Sequence, residues 1–283
     1  MNRLKQALIH QGGGPILGAA AYLYNPTFLE IASLMGYKAA WIEMEHTFLT
    51  FAQAADLCRI ASGFGMLTMI RIPNQSRTTV LQACECGPDI IDLPMANTPE
   101  MVAEFVKNAR FPPAGVRGFF SVSRSVKYGL GGRVSDEQQK LNDELCLMAQ
   151  VETKEAVERV DELCQVPGLD AIFIGPADLS ASLGVPGQTN HDRVYEAAAR
   201  VVRTAKAHGK LTAVGIGPQD LPFWTRQPID LLFCTNDIAA MKLGAQKALE
   251  QAQAALAKDV IASDLPAEIK TSGAVSQLRP SNP

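Results

Sequence analysis

The segment Ile172–Ala181, reading Ile-Phe-Ile-Gly-Pro-Ala-Asp-Leu-Ser-Ala, concentrates chemistry in ten residues. An apolar run enters a Gly-Pro turn that delivers one carboxylate, Asp178, to the start of a helix. Amide groups converging beside an acid suit a metal ion together with an anionic ligand. The competing reading is a plain N-cap, a position that Asp favours on any helix. Polar residues at the ends of other apolar runs tip the balance. These are Glu43, Glu45 and His46, then Arg71, then Gln150 and Glu152. An acidic set with one Arg and one His, repeated at equivalent places, points to one shared site, since structural strand ends are more often closed by Gly, Asn, Pro or Ser.

The elements that must position this set are legible as eight apolar runs bounded by turn residues. They are Ile16–Leu23, Ala39–Glu45, Leu67–Ile72, Ile90–Met95, Cys146–Glu152, Ala171–Ile174, Leu211–Ile216 and Leu231–Thr235. Most lack in/out alternation, so both faces are expected to be buried. Helical stretches such as Pro26–Met35, Thr50–Ser62, Pro99–Ala109 and Lys154–Cys164 lie between them. Repeated βα units of this kind predict an α/β fold, a (β/α)8 TIM barrel, whose catalytic groups gather where the strands end.

The chain of 283 residues fits one such barrel, usually about 250 residues, with a surplus for a loop and a tail. The expected division is a barrel over residues 1–258 and a tail over 259–283, disordered or packed on a neighbouring subunit. A net charge of -3 and the lack of a basic, aromatic-interleaved stripe argue against a nucleic-acid partner. No apolar stretch approaches the roughly 20 residues that span a bilayer, and Met1–Gln11 lacks a signal-peptide core. A cytoplasmic protein with reduced, buried thiols is expected, because the six cysteines lie mostly in apolar segments without CxxC spacing. The run Arg110–Gly118 followed by Ser121–Gly132 predicts a long loop over the catalytic end, where Arg117 and Arg124 would meet an acidic substrate. Asp92, inside the fourth run, has no assigned task. Trp41, Tyr22 and Met148 read as core. Ala20, Tyr22 and the Gly215–Pro218 loop sit where an acceptor pocket would be shaped.

Taken together, Ile42-Glu43-Met44-Glu45-His46, Ile70–Pro73, Leu93–Met95, Arg110–Gly118, Gln150–Thr153 and Phe173–Ser180 resemble the HpcH/HpaI aldolase family over about residues 15–257. The resemblance implies a class II, metal-dependent pyruvate aldolase on a (β/α)8 barrel, usually hexameric, with the final helix exchanged between paired subunits. By motif it implies Glu152 and Asp178 as the protein ligands of a divalent ion. Hard oxygen donors suit Mg²⁺ or Mn²⁺, with Co²⁺ as a further option. It also implies Arg71 on the keto oxygen, with Gln150, Gly175, Pro176 and the amides of Ala177 and Asp178 around the substrate. His46 would manage the proton. Glu43 and Glu85 stand where the family commonly has Asp, each keeping the charge on a longer arm.

The reaction so implied is reversible cleavage of a 4-hydroxy-2-oxo acid to pyruvate and an aldehyde through an enolate, which needs no Schiff-base lysine. Oxaloacetate decarboxylation, or a macrophomate synthase-like use of the same enolate, is the alternative at this site. A barrel that binds an acidic metabolite without catalysis is the third reading.

Overall fold

The structure is a computed structural model that describes residues 1–262, with side chains to 256. Eight parallel strands close a barrel in chain order: β1 (Ile16–Ala21), β2 (Ala39–Glu43), β3 (Leu67–Arg71), β4 (Ile90–Leu93), β5 (Cys146–Val151), β6 (Ala171–Ile174), β7 (Leu211–Gly215) and β8 (Leu231–Asn236). The first half of the chain adds helices α1 (Arg3–Gln11), α2 (Pro26–Leu34), α3 (Phe51–Gly63), α4 (Arg77–Glu85), α5 (Pro99–Ala109) and α6 (Val134–Glu144). Then follow α7 (Lys154–Glu158), α8 (Val160–Gln165), α9 (Pro176–Ser182), α10 (Asp192–Ala207), α11 (Leu221–Trp224) and α12 (Asp237–Ala262). The expected TIM barrel is therefore present.

Strands buried on both faces supply two cores. The outward faces of the strands pack against the helices. In α10, Val194, Ala198, Val201, Val202 and Ala205 recur at helical spacing and are buried. The inward faces fill the barrel with Ile16, Trp41, Met69, Met148, Phe173 and Phe233 among others. Two inward glycines make room for these rings. A Cβ at Gly18 would lie 2.4 Å from the Phe233 ring, and one at Gly215 would lie 2.8 Å from Trp41. Fully burying a side chain such as Phe173 contributes about 1.5–3 kcal/mol, so the interior is a packed floor and the open space lies above it. Below, α1 closes the barrel with Leu4, held by the Arg3–Asp89 ion pair at 2.7 Å.

The helix expected over Lys154–Cys164 is two helices, because Arg159 (φ -100, ψ 9) interrupts it. The expected loop over the catalytic end is corrected. The connection from Arg110 to β5 carries a 3₁₀ turn at Arg124–Gly129 and helix α6. Arg117 donates to Glu85 and Ser125, and its guanidinium lies 4.4 Å from the Phe111 ring centroid. Arg124 donates to the Cys86 carbonyl. Both line a separate cavity of about 220 Å³ with Arg3 and Asp89, beside the N-terminal ends of the strands. Glu85 and the Cys86 carbonyl engage these two arginines away from the catalytic end.

The barrel forms one unit over Met1–Ile238, and Ala239 onward forms another, of which α12 is described. Most of the expected tail, from residue 263, lies outside the described residues. All six cysteines are free thiols, five of them buried. Among the described residues no helix is long and apolar enough to cross a membrane.

Candidate active site

The C-terminal ends of the strands surround a pocket of about 360 Å³. Arg71, from the end of β3, and Gln150, from β5, line it together with His46 and with Gly175, Pro176, Ala177 and Asp178 at the start of α9. His46 and Asp178, 132 positions apart in sequence, meet here only because the barrel closes. Tyr22 and Trp41, read as core, line the pocket as well, whereas Met148 belongs to the buried interior.

The two carboxylates with competing capping explanations are not caps. The N-cap of α9 is Gly175, and Asp178 stands in the first turn with an exposed side chain. The N-cap of α7 is Thr153, whose hydroxyl accepts from the Ala156 amide. Glu152 is instead 1% exposed, with Oε1 accepting from the Met95 backbone amide (2.7 Å) and Oε2 from the Gln150 side-chain Nε2 (2.6 Å). Met95 makes its contact from a left-handed backbone (φ 49), a conformation that a non-glycine residue holds only when its surroundings compel it.

Glu152 stands directly behind Gly175. A Cβ on that glycine would lie 2.6 Å from Glu152 Oε2 and 2.8 Å from Gln150 Nε2. Gly175→Ala is therefore expected to push both side chains aside. It should destabilise the barrel by about 1–3 kcal/mol and cost about 10²-fold in turnover through misplacement of the site. Denaturant melts and steady-state rates would check this, and unchanged rates would show that the close approach has no functional meaning.

Arg71 is held from several sides. Its Nε donates to Glu43 Oε2 at 2.5 Å and lies 3.3 Å from Glu45 Oε2, and the guanidinium sits 5.0 Å from the Trp41 centroid. Burial opposes its charge, but Glu43, Glu45 and Asp92 outweigh that and raise its pKa. Glu43 uses its other oxygen to accept from the amides of Glu45 (2.7 Å) and His46 (3.1 Å). It thus shapes the loop that carries His46.

Glu45 was read in the strand-end set without a role, yet it is the acid beside the imidazole. Its Oε2 lies 3.5 Å from His46 Nε2. Burial raises the Glu45 pKa, against the lowering effect of Arg71 and His46. The His46 side chain is 63% exposed, so it stands at the rim and meets solvent. Glu85 is elsewhere in this chain, on α4, paired with Arg117 at 3.0 Å.

Asp92 lies on the floor between Arg71 and Met148 in the strand register, 0% exposed and with neither carboxylate oxygen hydrogen-bonded. Burial drives its pKa well up, with Arg71 working against and Glu152 reinforcing the shift. A carboxyl whose pKa is raised by folding carries no penalty below about pH 4, where both states are protonated, and a growing one as the pH climbs above that. Asp92→Leu is accordingly expected to stabilise the protein by about 1–3 kcal/mol at pH 7. The gain should vanish toward pH 4 in urea melts, and a destabilised variant would show that Asp92 has a partner after all.

The pocket's orphaned groups suit a cation. Burial pushes the Glu152 pKa up to about 7, with Asp178 and Glu45 adding to the shift, so the two carboxylates feel one another. Gln150 Oε1 is buried without a partner. Among the described residues no group of three or more His, Cys, Asp or Glu could hold a metal. A cation here would thus be held by two protein carboxylates and completed by small molecules, all hard oxygen donors.

With that geometry in place, known proteins supply the decisive comparison. The family profile described as HpcH/HpaI aldolase/citrate lyase matches residues 21–221. The chain belongs to the HpcH/HpaI family. A 2-keto-3-deoxy-L-rhamnonate aldolase of Escherichia coli (strain K12) is 35% identical over 182 residues, 64% of this chain and 67% of that one. The crystal structure of an HpcH/HpaI aldolase from Desulfitobacterium hafniense DCB-2 superposes with a TM-score of 0.81 at 28% identity, covering 89% of this chain and 97% of that one. An HpcH/HpaI aldolase/citrate lyase family protein from Burkholderia cenocepacia J2315 gives the same score and identity over 89% and 100%. The matched span includes the strand-end motifs. The loop residues Thr189, Gln219 and Asp220, which also line the pocket, went unread in the sequence. Their one signal was proximity to the Gly215–Pro218 turn.

Proposed function

We propose that this chain is a carbon-carbon lyase that cleaves a 4-hydroxy-2-oxo acid reversibly to pyruvate and an aldehyde. One observation carries the reading: Arg71, His46, Gln150 and Asp178 line a single pocket with Glu152 immediately behind it. The aldolase relatives support the same reaction class. Glu152 and Asp178 would hold a divalent ion, Mg²⁺ or Mn²⁺ by donor hardness. Such an ion supplies Lewis acidity when bound.

The chain's own residues do the rest. The Ala177 and Asp178 amides and Gln150 orient the substrate's oxo-acid end. His46 Nε2, beside Glu45, takes the proton of the C4 hydroxyl. The C3–C4 bond then breaks, an aldehyde forms at C4, and the electron pair moves toward the C2 oxygen. Arg71, fixed before the reaction begins, meets the negative charge that develops there. Protonation of C3 yields pyruvate. His46→Ala is expected to slow cleavage about 10²–10⁴-fold while leaving divalent-ion affinity within a few fold. An unchanged rate would remove His46 from the proton path.

The direct test is exchange of pyruvate methyl protons in deuterium oxide, with and without Mn²⁺ and chelator. Metal-dependent exchange is expected, and its absence would overturn the reading in favour of simple binding. Carbon dioxide release from oxaloacetate without any aldehyde condensation would instead assign the decarboxylase.

The assembly reading is a homo-oligomer, a hexamer with α12 exchanged between copies. Exposed Met241, Leu243, Leu249 and Leu256 on α12 support it. A role for Glu85 at His46 would then need a second copy, since within one chain Glu85 is bound to Arg117. Light scattering would test the mass. The free thiols support a reducing, cytoplasmic setting.

A further inference from the structure

Part of the pocket wall, built by Thr189 and by the loop after β7, has no task in the chemistry above. Its centre is Asp220, 1% exposed. Oδ2 of Asp220 accepts from Thr189 Oγ1 (2.9 Å) and Gln219 Nε2 (3.3 Å), and Oδ1 accepts from Tyr195 Oη (3.2 Å). Tyr195 is itself fixed by a parallel stack on Phe223, with centroids 3.9 Å apart. Gly217 leaves the room that Gln219 occupies, because a Cβ there would lie 2.5 Å from Gln219 Oε1. The outcome is a rigid strip of hydroxyl and amide groups backed by a buried acid.

Charge on this wall runs one way. Arg71 is the one Lys or Arg among the described residues lining the pocket, and Glu43 and Glu45 already engage it.

We propose that Thr189, Gln219 and Asp220 form the subsite for the aldehyde half of the substrate, and that they select a neutral, hydroxyl-bearing aldehyde over one with a second carboxylate. This inference rests on the aldolase reading. A hydroxyl on the aldehyde finds donors and acceptors already fixed in place, so little is lost in ordering them. A carboxylate would lie near Asp220 with no free Lys or Arg among the described pocket residues to receive it, and like charges brought together in a pocket are disfavoured. A site built to hydrogen-bond a hydroxyl also discriminates against an aldehyde lacking it, since its own polar groups are then left unpaired.

The experiment condenses pyruvate with glycolaldehyde, propionaldehyde and succinic semialdehyde in the presence of Mn²⁺. Each rate is divided by the same protein's pyruvate methyl-proton exchange. Glycolaldehyde is expected to exceed succinic semialdehyde by about 10²-fold in kcat/KM. Gln219→Arg, a change at the exposed rim, should narrow or invert that ratio by at least about tenfold. Thr189→Val should bring glycolaldehyde down toward propionaldehyde. Normal exchange combined with equal or better use of the semialdehyde would overturn the inference, as would a ratio unmoved by Gln219→Arg. Absence of exchange in the parent would overturn the aldolase reading, and this inference with it.

Discussion

Glu152→Gln is expected to give a folded barrel that no longer retains a divalent ion and turns over at least about 10³-fold more slowly, the cost of losing several kcal/mol of charge stabilisation. The substitution is nearly isosteric. Its carbonyl oxygen can still accept from the Met95 amide, so loss of activity would not be loss of fold. Asp178→Asn should behave alike. The pH behaviour adds an independent signature. With its pKa pushed up to about 7 by burial, Glu152 holds a proton that a cation must displace. Ion affinity should therefore rise about tenfold per pH unit up to pH 7 and then level off.

The sign for stability follows from the same shift. A carboxyl raised on folding is protonated in both states below about pH 4, so it costs nothing there. Above that the unfolded chain ionises first, and the ion-free protein should lose up to about 3 kcal/mol by pH 7. Glu152→Gln should be free of that loss, and Mn²⁺ should restore stability to the parent alone. Calorimetric titration and thermal melts from pH 4 to 8 measure all of this. Full activity of the parent in excess chelator would end the case for a metal.

The second large effect is at Arg71. Arg71→Ala removes the one Lys or Arg that lines the pocket among the described residues and is expected to lower kcat about 10²–10³-fold, as loss of a fixed charge-stabilising donor does. It also takes from Glu43, Glu45 and Asp92 the guanidinium charge that faces them, which should destabilise the protein by about 3–5 kcal/mol. Arg71→Lys separates the two roles. Lysine keeps the charge but not the planar fork that meets Glu43 and Glu45 from one side and stacks on Trp41 from another. It should recover more stability than rate. A kcat for Arg71→Ala within twofold of the parent would reduce the arginine to a structural ion-pair partner.

How far the sequence carried the site can be judged at individual residues. Six of the eight apolar runs overshoot the strands at their functional ends: Ala39–Glu45 is β2 ending at Glu43, and Ile16–Leu23 is β1 ending at Ala21. Hydrophobicity persists past the last ladder bond because the first loop residues, such as Met44, stay buried under the helices. Asp178 and Glu152 stood out by type and position, but whether each capped a helix depended on Gly175 and Thr153 taking those positions. Glu43 and Glu45 are both visible in the sequence as acids, but which of them stands beside the imidazole depends on how the loop turns. The buried Glu43 grips loop amides, leaving Glu45 beside His46.

The sequence by itself determined the barrel, its family and the strand-end residues, since a period of alternating apolar runs and helices leaves one closed arrangement that buries every strand. Only the tertiary structure decided where Arg117 and Arg124 turn, which acid sits beside the imidazole, and that Thr189, Gln219 and Asp220 form one wall. Those outcomes hang on pairings between residues far apart in the chain, such as Arg117 with Glu85 and Asp220 with Thr189 and Tyr195. Local pattern records what a residue is made of, and a charge or hydroxyl takes its partner from whatever closure of the fold brings within about 3 Å of it.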